Sequence, residues 1–173
     1  NKLRVGKHPT KDLFIYNYTK HTEFNGLWDD ITRTARGLVV DSSGEVHALP
    51  FPKFFNLEQT NPETIKGLKN VEFEVFEKMD GFLGIGFMYE DEFIISSRGS
   101  FESRPCEKAN EIWRKKYAPY IKPIKGFTYI FEIIYKEDKI VVDYDFEELI
   151  LLGIRANTGE EVAYENYRYS FTG

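Results

Sequence analysis

One cysteine, Cys106, occurs in 173 residues. A single thiol cannot build a disulfide framework or a cysteine-based zinc site, and it fits a reducing compartment. Long apolar runs are missing too, since no stretch approaches the roughly 18 residues that a membrane-crossing helix needs. The amino terminus, Asn1-Lys2-Leu3-Arg4, leads into polar residues with no apolar segment, which speaks against a signal peptide. An excess of positive charge is also lacking. Lys and Arg number 23 against 28 Asp and Glu, a net of −5, so the overall field is not that of a basic nucleic-acid coat. Any phosphate binding has to come from a local cluster. Histidine is scarce, and His8, His21 and His47 are too dispersed for a metal site. There is no repeat, low-complexity tract or Pro/Gly linker.

Aromatic residues, by contrast, are abundant: Phe 15, Tyr 11 and Trp 2 make 16% of the chain. That supports a dense core and excludes a disordered tail. The length predicts one domain, large enough to bury roughly 70% of its unfolded surface.

Short alternating or apolar runs dominate, separated by turn residues. Strands are predicted at residues 12–18, 37–41 and 45–49, the last two flanking a Ser42-Ser43-Gly44 hairpin loop. An alternation over 71–78 (VEFEVFEK), which breaks at Phe76, predicts another whose end changes the way its side chains point. Residues 82–89 and 92–97 pair around Glu90-Asp91. Residues 127–135 pair with 139–144, and residues 149–155 with 161–164 across Asn157-Thr158-Gly159. Two helices are predicted: 62–68, capped by Asn61 with Pro62 in its first turn, and 103–117, with Ala109, Ile112 and Trp113 on one side. The reading is one α+β domain built on antiparallel β-sheets with few helices.

The chemistry centres on Glu77-Lys78-Met79-Asp80-Gly81. A lysine two residues before an Asp-Gly turn can point into a cleft. Its amine, with an ordinary pKa of about 10.4, becomes nucleophilic only near other cations or when desolvated. Alone, this pattern is equally a hairpin turn with a solvated lysine. Its neighbours add weight: Arg36-Gly37, Lys53-Phe54-Phe55-Asn56, Ser97-Arg98-Gly99-Ser100 and Phe131-Glu132. Glu132 is the hardest to dismiss, because a carboxylate among Tyr129, Ile130, Phe131, Ile133 and Ile134 needs a partner. A lysine, a ribose hydroxyl or a hydrated metal would serve.

This ordered set, with Tyr16-Asn17-Tyr18 before it and Asn157-Thr158-Gly159-Glu160 after it, resembles the covalent nucleotidyltransferase superfamily. Within it the match is closest to the ATP-dependent RNA ligases typified by the first RNA ligase of T-even phages. The resemblance implies an ATP-grasp-like nucleotidyltransferase domain over 1–173, in which Lys78 attacks the α-phosphate of ATP to form lysyl-AMP. It implies nucleotide contacts from Tyr16, Arg36, Lys53, Glu77, Asp80, Gly81, Arg98 and Glu132. Glu132 would also hold Mg²⁺ (or Mn²⁺), directly or through water. Arg98 stands where such enzymes often carry lysine. The implied substrate is RNA with a 5′-phosphate and a 3′-hydroxyl, cleaved tRNA among them, sealed in a cytoplasm, or the host's if phage-encoded. Neither a membrane nor a protein partner is implied.

Two family elements are missing. No Glu-Gly-apolar motif follows Glu132, and Lys139 is the last lysine, so no Lys-x-Lys strand exists. With Asn1 rather than methionine at the start, this suggests a fragment truncated at its C-terminal end. The rival readings are a non-catalytic nucleotide- or RNA-binding module, a DNA ligase, and a GTP-dependent capping enzyme. The cations Lys108, Arg114, Lys115 and Lys116 on the second helix are either an RNA contact or a solvated face.

Overall fold

The computed structural model describes residues 1–59, 61–67, 72–138 and 140–163. Two four-stranded antiparallel sheets organise them. The first consists of β1 (Leu3–Lys7), β2 (Phe14–Tyr18), β3 (Arg36–Val40) and β4 (Val46–Ala48), in sequence order. The second contains β5 (Phe82–Tyr89), β6 (Glu92–Ser97), β7 (Phe127–Ile134) and β8 (Glu148–Ala156), in the order β6-β5-β7-β8. The helices are α1 (Lys20–Phe24), α2 (Asp30–Thr34), α3 (Pro62–Gly67) and α4 (Arg104–Ile112), the last continuing as a π-helical stretch Trp113–Tyr117. The α+β reading therefore holds. Among the described residues, no helix is long and apolar enough to cross a membrane.

The second sheet is covered on both faces. Ile85, Phe87 and Ile94 pack against Leu13, Ile15, Val39 and Ala48 of the first sheet region. Ile95, Phe131 and Ile133 pack instead with Ala109, Ile112 and Trp113 of the α4 region. Adjacent Ile94 and Ile95 thus enter different cores, as strand geometry requires. Double coverage is why β5 and β7 read as nearly continuous apolar runs rather than alternations. The Ser42-Ser43-Gly44 hairpin forms as expected, with Gly44 at φ 88° and Asp41 Oδ1 accepting from the Ser43 and Glu45 amides.

Three expectations need correction. Residues 72–80 form no strand, and Phe73 and Val75 are 82% and 84% exposed. The alternation is present, but β5 is already flanked by β6 and β7, and the outer edge of β8 takes only an isolated Arg155–Glu161 bridge. With no ladder to join, the backbone stays irregular. Residues 140–144 are likewise not a strand, because the amides of Val141 and Val142 donate to Asp80 instead of to β7. The hairpin at 157–159 turns as expected, yet its return arm is reduced to that one bridge. Val71, Leu68, Lys139 and Tyr164, which bound those expected elements, lie outside the described residues.

β1, α1 and α2 went unpredicted. Five residues are too few to show helical periodicity, although Asp29 and Thr32 form a capping box at α2, the Thr32 amide donating to Asp29 Oδ1 (2.7 Å) and the Asp29 amide to Thr32 Oγ1 (2.8 Å).

Candidate functional site

Strand register brings distant cations together. Arg4 on β1 lies opposite Asn17 on β2, and Asn17 lies opposite Arg36 at the start of β3. Arg98 follows the end of β6. Arg4, Arg36 and Arg98 line one cavity of about 350 Å³ with Gly81, Phe82, Leu83, Ser97 and Ser103. Arg98 Nη1 donates to the Tyr18 hydroxyl (2.8 Å), its guanidinium 5.1 Å from the ring centre. Arg36 reaches the Phe51 carbonyl at 3.5 Å and stands over Phe54 at 5.3 Å. Burial is the main influence lowering the pKa of Arg36, and the Arg98 charge adds to it; the Tyr18 hydroxyl and Glu132 oppose both. A guanidinium stays charged throughout.

Gly81 links this cavity to the lysine turn. Its amide donates to Glu132 Oε1 (2.8 Å) from within the chain that follows Lys78. A Cβ at position 81 would come within 2.5 Å of the Ile133 carbonyl oxygen, so only glycine fits there. Glu132 is half-buried on β7, opposite Leu83 and Ile150. Burial raises its pKa above the usual carboxylate range, against the Gly81 hydrogen bond and the charges of Lys78 and Arg36. The partner demanded by a carboxylate in so apolar a strand is therefore, first, a backbone amide. Asp80 Oδ2 accepts from the amides of Val141 (2.7 Å) and Val142 (2.8 Å), while its own amide donates to the Tyr144 hydroxyl. These amides, more than Lys78, hold the Asp80 carboxyl below its ordinary pKa.

Lys78 itself is exposed, with its charge felt by both Asp80 and Glu132. Glu77 lines a second cavity of about 530 Å³ with Phe51, Phe76, Met79 and the β8 residues Ile150 to Ile154. Lys53 stands outside the arginine cavity, its Nζ 5.1 Å from the Phe55 ring centre and 5.8 Å from that of Trp28. Trp28 meets Tyr18 edge-on at 4.9 Å, which connects Lys53 to the Arg98 neighbourhood through aromatic rings. Tyr16 is elsewhere: it lines an apolar groove with Leu3, Ile31, Leu38 and Val40. A register shift between Tyr16 and Asn17 separates it from Tyr18, which meets the arginines in its place. Sequence reading missed both Tyr18 and Arg4. Tyr18 belonged to a motif already noticed, but Arg4 gave no signal without the strand register.

Chemically, the arginine cavity suits phosphate oxygens, and the second cavity, apolar along β8 but bordered by Glu74, Glu77 and Glu161, has room for a base. Glu132 gives one oxygen to the Gly81 amide and Asp80 gives one to the Val141 and Val142 amides, so each keeps a second oxygen that could face a metal. A Mg²⁺ ion that keeps most of its waters and leans on substrate phosphates fits one such carboxylate. Among the described residues, the one group of three with metal-ligand spacing is Asp41, Glu45 and His47, in the β3–β4 hairpin region.

Residues 34–171 match a family model described as RNA ligase. A Thermovibrio ammonificans protein provisionally named RNA ligase is 36% identical over 133 residues, covering 73% of this chain and 35% of its own length. An RNA ligase of Rhodothermus phage RM378 is 24% identical over 191 residues, covering 89% of this chain and 43% of its own. The chain thus spans less than half the length of either relative. A solved archaeal ATP-dependent RNA ligase shares the fold, with TM-score 0.58 at 18% identity over 97% of this chain and 44% of that one.

Proposed function

The chain belongs to the RNA ligase family, and from that premise we propose that it is the nucleotidyltransferase domain of an ATP-dependent RNA ligase. The observation that carries the proposal is the convergence of Arg36 and Arg98 on a cavity bounded by Gly81, whose amide ties the Lys78 turn to Glu132. Phosphoryl and nucleotidyl transfer need positioned positive charge more than acid–base groups, and that is what this site offers.

In this reading Lys78, as the free amine, attacks the α-phosphorus of ATP. A nitrogen–phosphorus bond forms, the bond to the β-phosphate bridging oxygen breaks, and pyrophosphate leaves with its electron pair. The amine proton passes to solvent, to which Lys78 is open. Arg36 and Arg98 hold phosphate oxygens, and Glu132 orients the Gly81 turn while its second oxygen faces the ribose or a hydrated metal. Bound Mg²⁺ would neutralise charge building on the departing pyrophosphate. An RNA 5′-phosphate then takes the AMP from Lys78, and an RNA 3′-hydroxyl displaces AMP to join the strands. Lys53, held over two aromatic rings, supports the phosphates from the periphery, and Glu77 borders the base cavity.

The test is covalent labelling. Full-length protein incubated with Mg²⁺ and ATP labelled at the α-phosphate retains label after denaturation, and Lys78→Ala loses it entirely. Absence of label from wild type overturns the ligase reading and favours a nucleotide- or RNA-binding module. Label from GTP but not ATP moves the assignment to capping chemistry.

A further inference from the structure

We propose that Arg4 is a phosphate-binding residue of this site, gripping a phosphate group together with Arg36 and Arg98. The proposal rests on the nucleotidyltransferase reading for its ligand and adds a residue to it. Arg4 lies thirty positions before the matched family span begins, and only the pairing of β1 with β2 brings it to the site.

Three observations carry it. First, Arg4 lines the same cavity as Arg36 and Arg98, and none of the three forms an ion pair among the described residues. Arg36 feels the charge of Arg98 more strongly than the opposing charge of Glu132, and an anion held in the shared cavity relieves that repulsion. Second, the Arg4 guanidinium is seated on Gly99: a Cβ there would stand 2.1 Å from Nη2 and 2.9 Å from Cζ. The absent side chain at 99 is what leaves room for the fork at the edge of the cavity. Third, Asn17, between Arg4 and Arg36 in register, is 2% exposed, and its Oδ1 has no hydrogen-bond partner. A phosphate oxygen has no hydrogen to give that acceptor, so Asn17 marks the buried centre of the row and the ligand contacts fall to the arginine forks on either side. Planar forks that bind two oxygens at once are suited to phosphate, and three of them exceed what one monoanion needs. A polyphosphate, or a terminal RNA phosphate beside the nucleotide's, has that charge.

The shared chemistry is a phosphate group, and its two sources separate experimentally. Binding of inorganic tripolyphosphate, and of an oligoribonucleotide with and without a 5′-phosphate, is measured calorimetrically on wild type, Arg4→Ala, Arg4→Lys and Gly99→Ala. Arg4→Ala weakens one of the phosphate ligands about tenfold or more, the usual consequence of losing a charge-assisted hydrogen bond. Loss confined to tripolyphosphate assigns Arg4 to the nucleotide; loss of the preference for a 5′-phosphate assigns it to the RNA end. Arg4→Lys recovers part of the affinity. Gly99→Ala, which keeps every charge but displaces the Arg4 fork, reproduces the loss and adds nothing to it in the double variant. Unchanged binding of both ligands in Arg4→Ala, or in Gly99→Ala, overturns the proposal. Covalent labelling is scored separately: unlabelled wild type that binds tripolyphosphate through Arg4 defeats the ligase reading alone, whereas labelled wild type with unchanged Arg4→Ala binding defeats this proposal alone.

Discussion

Two groups of cations on this protein look alike in sequence and differ in structure. On and after α4, Lys108 pairs with Glu137 (2.6 Å), Lys115 with Glu111 (2.5 Å) and Lys116 with Glu148 (3.0 Å). In the cavity between the sheets, Arg4, Arg36 and Arg98 form no ion pair among the described residues, and Glu132 acts on Arg36 only through its charge. The helix lysines neutralise charge within the protein; the cavity arginines do not. Positive charge left unpaired at a concave site is what an anionic ligand has to supply a partner for. This is also why a net charge of −5 carries so little information about phosphate binding here.

The largest consequence falls on the arginines. Arg98→Ala is expected to slow lysyl-AMP formation about ten- to a hundredfold, measured as the single-turnover labelling rate at saturating protein. It removes a cation facing the cavity and also frees the Tyr18 hydroxyl that Arg98 holds. Arg98→Lys keeps the charge without the fork and falls between. If Arg98→Ala labels as fast as wild type, the contrast between the two groups of cations has no functional meaning.

How much of this was legible beforehand depends on the range of the interaction. Elements whose signal is local were readable: the β5–β6 hairpin, the Ser42-Ser43-Gly44 loop and α4 with its apolar side all stand where patterns put them. Lys78, Asp80, Gly81 and Glu132 were marked by type and order, and Gly81 does meet Glu132 across 51 residues. What sequence could not show is which strands have free edges. The alternation over residues 72–75 is regular, yet among the described residues no strand pairs with it. The same limit hid Arg4, whose role depends on β1 joining β2, and misplaced Tyr16, which a register shift diverts to another surface.

A third kind of charged group refines the comparison, since Asp80 is held by neutral amides rather than by an opposite charge. The Val141 and Val142 amides keep its carboxyl more acidic in the folded protein than in the unfolded chain. A depressed folded pKa contributes stability that is present above the unfolded value near 3.9 and is lost as pH falls through the lower folded value. Asp80→Asn is therefore expected to lower the midpoint of thermal unfolding at pH 7, with the gap to wild type narrowing below about pH 4. A gap that stays constant across that range would mean that the two amides prefer the wild-type side chain equally at every pH, and that ionisation is not what they recognise.

The smallest effect is expected where the charges are already spent on one another. Exposed lysine–carboxylate pairs are screened by solvent and held by long, flexible side chains, so losing one changes little. Lys115 is 70% exposed at its side chain and sits one helical turn from Glu111. Lys115→Ala should leave the labelling rate within about twofold of wild type and affinity for a 5′-phosphorylated oligoribonucleotide likewise. Lys116→Ala adds a structural element, because its Nζ also donates to the Glu147 carbonyl (2.6 Å) just before β8. Its unfolding midpoint should drop further than that of Lys115→Ala while its labelling rate stays unchanged. Should either lysine variant instead lose RNA affinity by the factor expected of the cavity arginines, their ion pairs do not prevent binding. The helix face would then join the substrate path, because a pair that solvent already screens yields readily to a phosphate backbone.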